Sequence, residues 1–336
     1  MMPGAVPLGN RRPGWRTALF FLVVGVGGLV VLGLWAGRAA PAQEGPRAYV
    51  ANEVGQSISV VDLRQRKVLT TIPLPAAPHN LALSPDGSVL VASSPASDQV
   101  FVIDARGGSL RAAVPVAGGP HAVAFTPDGK RVLVGAERAS RLVVIDPATL
   151  AVEAARDLRD RPHNLAVAPD GRTTWVTTMG SRHLVRLDLA DPSGAERLPM
   201  PGTPHDLALA PGGGVVWVTT WGSNLLLRVT AGARDVRAIR TPGKSPHHLA
   251  MTPDAKEIWI TNHESNDVVV VDAAASRVEA SVPVGQSPHH VAFAADGTLA
   301  VVANHGSNDL TLIDRKLRVV LGHVPVGRGP HGVAAR

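Results

Sequence analysis

Apolar residues along this chain come in short runs broken by turns rich in Gly, Pro, Asp and Ser. One run carries a central alanine, as in Leu81-Ala82-Leu83, Val123-Ala124-Phe125 and Leu165-Ala166-Val167. A turn such as Ser84-Pro85-Asp86-Gly87 or Thr126-Pro127-Asp128-Gly129 follows it. Proline presets φ, aspartate bonds the local backbone and glycine accepts positive φ, so these tetrads predict hairpins. A second run, as in Trp175-Val176-Thr177-Thr178, leads through a polar loop to a third that ends in Asp, as in Val143-Val144-Ile145-Asp146. That Asp recurs at 62, 104, 188, 272 and 314, with Thr230 in its place once. A fourth run, as in Val278-Glu279-Ala280-Ser281-Val282, reads as an edge strand. The strands are rich in Val, Ile and Leu with little clean alternation, as expected where both faces of a sheet are covered.

These four-strand words repeat. A Pro-His pair stands at Pro78-His79, Pro120-His121, Pro162-His163, Pro204-His205, Pro246-His247, Pro288-His289 and Pro330-His331, always 42 residues apart. A period of about 40 to 45 residues with strand-like content points to the blades of a β-propeller. The expectation is an all-β, seven-bladed β-propeller with four-stranded blades. Residues 47–77 hold strands two to four of a blade but no first strand, and residues 331–336 read as a lone first strand. Joined, they complete a seventh blade and remove the open edges of the ring.

Composition refines this picture. There is no cysteine among 336 residues, which excludes disulfides, thiolate metal sites, thiol nucleophiles and covalently attached c-type haem. Four of the 33 basic residues, Arg11, Arg12, Arg16 and Arg38, precede the first acidic residue, Glu44. Without them 29 basic residues face 27 acidic ones, so the formal charge of +6 shrinks to +2 beyond residue 42. A nearly neutral domain argues against nucleic acid or an anionic membrane as partner. The basic start, the uncharged run over residues 18–35 and the Ala40-Pro41-Ala42 pattern predict an export segment. Cleavage after Ala42 and retention as a membrane anchor both stay open, since the run is also long enough to approach a span. Either way the basic end stays inside and residues 43–336 are placed outside the cytoplasm, in the periplasm, secreted or anchored. Membrane contact is expected through the N-terminal segment alone, and the domain is expected to be a monomer.

Second strands reading Tyr49-Val50-Ala51-Asn52, Trp259-Ile260-Thr261-Asn262 and Val301-Val302-Ala303-Asn304 join the Pro-His and Pro-Asp-Gly words in a pattern that resembles the YVTN-type β-propeller repeat family. The resemblance covers residues 47–336. It implies the propeller fold and an extracytoplasmic or cell-surface setting, and leaves activity open, because propellers host many unrelated functions.

Candidate chemistry follows from topology. The first strand of a blade begins where its antiparallel second strand ends, so the Pro-His pairs and the loops after the second strands share one face. Seven first strands lining a channel put His79, His121, His163, His205, His247, His289 and His331 in a ring at its mouth. A second, variable ring lies sixteen positions after each His: Pro95, Glu137, Met179, Trp221, His263 and His305, with Glu53 in that place in the first unit. The expected ligand-binding residues are the seven histidines with Glu53, Glu137 and Trp221, which faces the mouth and can stack on a ligand. Imidazole ligates copper and zinc, and the densest arc, His247, His263, His289, His305 and His331, with His248, Glu264 and His290 beside it, is the candidate metal site. The alternative is structural, each ring His bonding the neighbouring blade's backbone. A spacing of about 10 Å between packed sheets gives a ring roughly 20 Å across at mid-blade, tapering inward, in which two or three neighbouring imidazoles can share an ion. Trp175, Trp217 and Trp259 share one strand position and are expected in the inter-blade core.

Function is thus expected to be a binding or interaction scaffold, taking a protein or small molecule at the His-bearing face. The alternative is a metal-dependent oxidoreductase or lyase using the His-rich arc. A resemblance to the streptogramin lyase type of propeller would make His263-Glu264 or His305 counterparts of that family's His and Glu. No nucleophile motif occurs, and Gly243-Lys244-Ser245 lacks the upstream glycine and following helix of a phosphate loop.

Overall fold

The computed structural model describes residues 45–191, 194–232 and 235–336. The export segment expected at residues 1–42 lies outside them. Among the described residues there are 28 strands and no helix, arranged as seven four-stranded antiparallel sheets. This is the seven-bladed all-β architecture that the 42-residue period implies. Six sheets use consecutive strands. The remaining one orders Pro330–Ala335, Arg47–Asn52, Ser57–Asp62 and Lys67–Pro73, so its first strand comes from the far end of the chain. Ala48 pairs with Ala335, Tyr49 with Ala334 and Val50 with Val333. Backbone bonds from Glu53 N–H to the Gly329 carbonyl (2.8 Å) and from Gly55 N–H to that of Arg328 (2.9 Å) extend the join.

The first strands lie against one another in a ring: Leu81–Leu83 touches Pro120–Phe125, which touches Arg161–Val167, and so on through Thr203–Leu209, Pro246–Met251 and Pro288–Phe293 to Pro330–Ala335, which returns to Leu81–Leu83. The two middle strands of each sheet are buried on both faces, hence their unbroken apolar runs. The fourth strands are largely exposed, as in Lys67–Pro73. The core lies between neighbouring sheets. Trp175 packs on Leu207, Val216 and Leu227 of the next sheet, and Trp217 on Leu249, Ile258 and Ile260 of the sheet after that. Trp259 meets Phe293 edge to face at 5.6 Å. All three tryptophans are core, as their shared strand position suggested.

The tetrad turns take positive φ at their fourth residue: 69° at Gly87, 70° at Gly129, 66° at Gly171 and 58° at Ala255, where the sequence offers no glycine. In each, the Asp carboxylate accepts from the local backbone or hydroxyl, as with Thr126 Oγ1–H to Asp128 (2.6 Å).

One local feature positions the site. In the first strands the pairing register breaks at the Pro-His pair, between Pro162 and Leu165, Pro204 and Leu207, Pro246 and Leu249, and Pro288 and Val291. The His and the residue after it have no ladder partner there. Such a bulge re-aims side chains that strict alternation would send to opposite faces.

Candidate functional site: a ring of imidazoles

Strand-two hydroxyls fill the bulges. Thr177 Oγ1 accepts from the Asn164 backbone N–H (3.0 Å) and donates to the His205 carbonyl of the next blade (2.8 Å). Ser93 does the same between Asn80 (3.1 Å) and His121 (2.6 Å), and Thr261 between His248 (3.1 Å) and His289 (2.5 Å). Each hydroxyl therefore satisfies a bulged amide and tethers the neighbouring Pro-His segment, two demands met by one group.

The result is a closed ring of side chains. Centroid separations are 4.5 Å for His79–His121, 4.1 Å for His121–His163, 4.5 Å for His163–His205 and 4.8 Å for His205–His247. The ring continues with His247–His289 at 4.4 Å, His289–His331 at 4.5 Å and His331–His79 at 3.7 Å. Every imidazole touches two others. The spacing of packed sheets sets the width at mid-blade but not at this rim, where the first strands pack directly on one another and the side chains fill the remaining width.

A pocket of about 220 Å³ is lined by ring histidines together with Asn80, Asn164, Asp206, His248 and His290. These residues follow the Pro-His histidines and reach the channel because of the bulge. Asp206 was not foreseen as part of the site. It is fully buried, accepts from Asn164 Nδ2 (2.5 Å) and the Leu249 backbone N–H (3.0 Å), and lies 3.5 Å from His248 Nε2. Burial pushes its pKa up to about 7, against these hydrogen bonds. The Val291 N–H donates to His248 Nδ1 (3.3 Å), which leaves the remaining proton of a neutral His248 on Nε2, towards Asp206.

Burial and crowding keep five of the ring imidazoles, and His248 and His290 beside them, neutral. Desolvation, then repulsion from neighbouring imidazoles, lowers the pKa of His205 to about 3 and of His289 to about 2. The same causes hold His121, His247, His290 and His331 well below the ordinary histidine value, and desolvation alone takes His248 to about 3. Neutral imidazoles keep a free nitrogen lone pair at physiological pH, which is what a metal needs.

Two ring histidines show the structural role: His121 Nδ1–H donates to the His163 carbonyl (2.7 Å) and His205 Nδ1–H to the His247 carbonyl (2.8 Å). Others are not so employed. Nδ1 of His247, of His289 and of His331 is buried without any hydrogen-bond partner. These same three residues bring one donor atom each within 4.8 Å of one another. Of the five expected ligands, His247, His289 and His331 form this grouping. His305 instead stacks on His289 (4.6 Å, 13°), and His263 lies 5.0 Å from the same ring. Two further donor sets are Glu53–His79–His331 and His121–Glu137–His163. Glu137 is ion-paired with Arg161 at 2.5 Å, so its charge is compensated. Trp221, 54% exposed, stacks on His205 at 4.9 Å and forms an apolar lip with Met179 beside the pocket.

Fold and site together define a seven-bladed β-propeller with a histidine-ringed mouth. The chain is similar, over residues 39–157, to the family described as "Lactonase, 7-bladed beta-propeller". No curated protein matches it. Among solved structures it is similar to a Kuenenia stuttgartiensis hydrazine synthase chain, with 22% identity, a TM-score of 0.75, and coverage of 84% of this chain and 99% of that one. A protein of unknown function from Desulfotomaculum acetoxidans gives a TM-score of 0.75 at 14% identity, covering 86% and 98%. The dihydro-haem d1 dehydrogenase NirN gives 0.64 at 16% identity, covering 86% and 74%. At these identities the likeness is one of fold.

Proposed function

We propose that this chain is an extracytoplasmic binding scaffold whose His-bearing mouth holds a transition metal ion, copper or zinc, through His247, His289 and His331. The observation that carries the reading is the coincidence of three buried, partnerless Nδ1 atoms with a donor grouping built from the same three residues. A buried polar atom without a partner costs about 1–3 kcal/mol, and three such residues in one donor grouping suit a ligand that accepts lone pairs. Three nitrogen donors leave a fourth position open on a tetrahedral ion. The adjoining pocket of about 220 Å³ has room for a small molecule there. That room favours a second reading, a metal-dependent oxidoreductase or lyase. Two of the fold neighbours are named as a synthase and a dehydrogenase.

The test is metal content after equilibration with Cu(II) and with Zn(II) at pH 7 and removal of free ion. His289→Ala is expected to lower the bound copper by one equivalent. A wild-type chain that retains no ion, or a His289→Ala chain that retains as much as wild type, overturns the reading. Placement outside the cytoplasm predicts either a mature N-terminus at Gln43 or a full-length chain in the membrane fraction. Full-length protein soluble in the cytoplasm contradicts it.

A further inference from the structure

The hydrogen bonds on the opposite side of the ring leave a gap of a particular kind. His121 Nδ1 lies 2.7 Å from the His163 carbonyl, which can only accept, so the His121 proton is on Nδ1. His121 is neutral, hence its Nε2 is a bare lone pair. His79 Nε2 lies 2.9 Å from that lone pair and must supply the proton between them. The other ring nitrogen of His79, Nδ1, faces Glu53. That nitrogen lies 3.2 Å from Oε1 of Glu53, which can also only accept when ionised. Either a proton or a metal ion can join these two atoms, and a third donor, the buried His331, stands with them: one ligand atom from each of Glu53, His79 and His331 lies within 4.8 Å of the others.

We propose that Glu53, His79 and His331 form a second metal site, sharing His331 with the first, so that the filled ring holds two ions. The distances suit an ion. Ligands bound at about 2.0–2.1 Å around a tetrahedral centre stand roughly 3.3 Å apart, close to the separation of Glu53 Oε1 and His79 Nδ1 (3.2 Å). The third residue, His331, is 4% exposed, and its ring lies 3.7 Å from that of His79. Among the described residues, the side chain of Glu53 reaches imidazoles alone within ion-pair distance, His79 and His305 (3.9 Å). Burial opposes its ionisation, but the hydrogen bond and charge of His79 and the charge of His305 outweigh burial and keep it ionised. Glu137, its counterpart two blades on, already has Arg161.

His331 can serve two ions only by giving one ring nitrogen to each. Its N–H proton is then released to solvent as the second ion enters, and the bridging imidazolate couples the two metals. The carboxylate makes this site the harder of the two.

This inference rests on the metal-binding reading above, and the test separates them. Copper content of the wild type is expected to be two per chain, with the electron paramagnetic resonance signal of the first Cu(II) diminished by exchange coupling when the second binds. In Glu53→Gln, a near-isosteric change at the open mouth, content is expected to fall to one with an uncoupled signal. His289→Ala is expected to retain one ion, at the Glu53 site, and His331→Ala to lose both. A wild type that saturates at one copper, lost in His289→Ala and unaffected by Glu53→Gln, overturns the second site and leaves the first standing. That outcome means a proton, as an imidazolium–carboxylate pair, fills the gap. A wild type without copper overturns both.

Discussion

Acidification should unfold the metal-free protein far more steeply than an ordinary domain of its size. Seven histidines, His121, His205, His247, His248, His289, His290 and His331, are held neutral by burial and, in all but His248, by repulsion from neighbouring imidazoles. Their folded pKa values lie below that of the unfolded chain, near 6.5. Stability is therefore complete above that value and is lost as pH falls below it, because only the unfolded chain takes up the protons. One such histidine costs on the order of 2 kcal/mol between pH 7 and pH 5. Asp206 works the other way: pushed up to about 7, it keeps a proton in the folded state and offsets about one histidine over the same range. Six uncompensated groups amount to on the order of 10 kcal/mol, which rivals the whole stability of a typical domain, about 5–15 kcal/mol. The assay is guanidinium unfolding followed by tryptophan fluorescence at pH 7 and pH 5, with a chelator present. The midpoint should collapse between the two. Replacing His248 and His290, which stack at 3.9 Å, by Asn should make the pH dependence shallower by about two protons. Equal midpoints at pH 7 and pH 5 would refute the claim that these seven histidines are desolvated and neutral. Bound metal should shift the transition to lower pH, since it stabilises only the folded form.

Two other predictions concern the scaffold. Truncation after Gly329 deletes the first strand of the sheet that begins at Arg47 and exposes the buried Tyr49 and Val50, so melting should occur at a sharply lower temperature; an unchanged melting point would contradict the pairing. Ala255→Gly should stabilise by about 1 kcal/mol, because φ of 58° strains an alanine where the equivalent turns have glycine; a loss of stability in chemical denaturation would count against that account of the turn.

Blade number and strand order were legible because Pro-His recurs without insertion, so one blade read correctly reads them all. The buried tryptophans were legible for the same reason. The proposed metal-ligand set was legible only in part. His247, His289 and His331 could be picked out as ring members, yet His263 and His305 looked equally suited, and the stacking of His305 and the tilted approach of His263 on His289 are matters of loop geometry that spacing does not carry. Asp206 escaped notice because period-two alternation sends it away from His205, and only the bulge brings both to the channel. A signal was present: a hydroxyl fourteen residues after the His at Ser93, Thr177, Thr219 and Thr261 is the group that fills the bulge. Sheet spacing carries the width at mid-blade but not that of the rim, because side chains rather than sheets meet at the axis.

The most direct measurement is X-ray absorption at the copper K edge on protein loaded with one equivalent of Cu(II). Coordination by His247, His289 and His331 predicts a first shell of nitrogen near 2.0 Å, with outer-shell scattering from about three imidazole rings, diminished by one in His289→Ala. A shell of oxygen donors without imidazole scattering, or a spectrum unchanged by His289→Ala, would contradict the account.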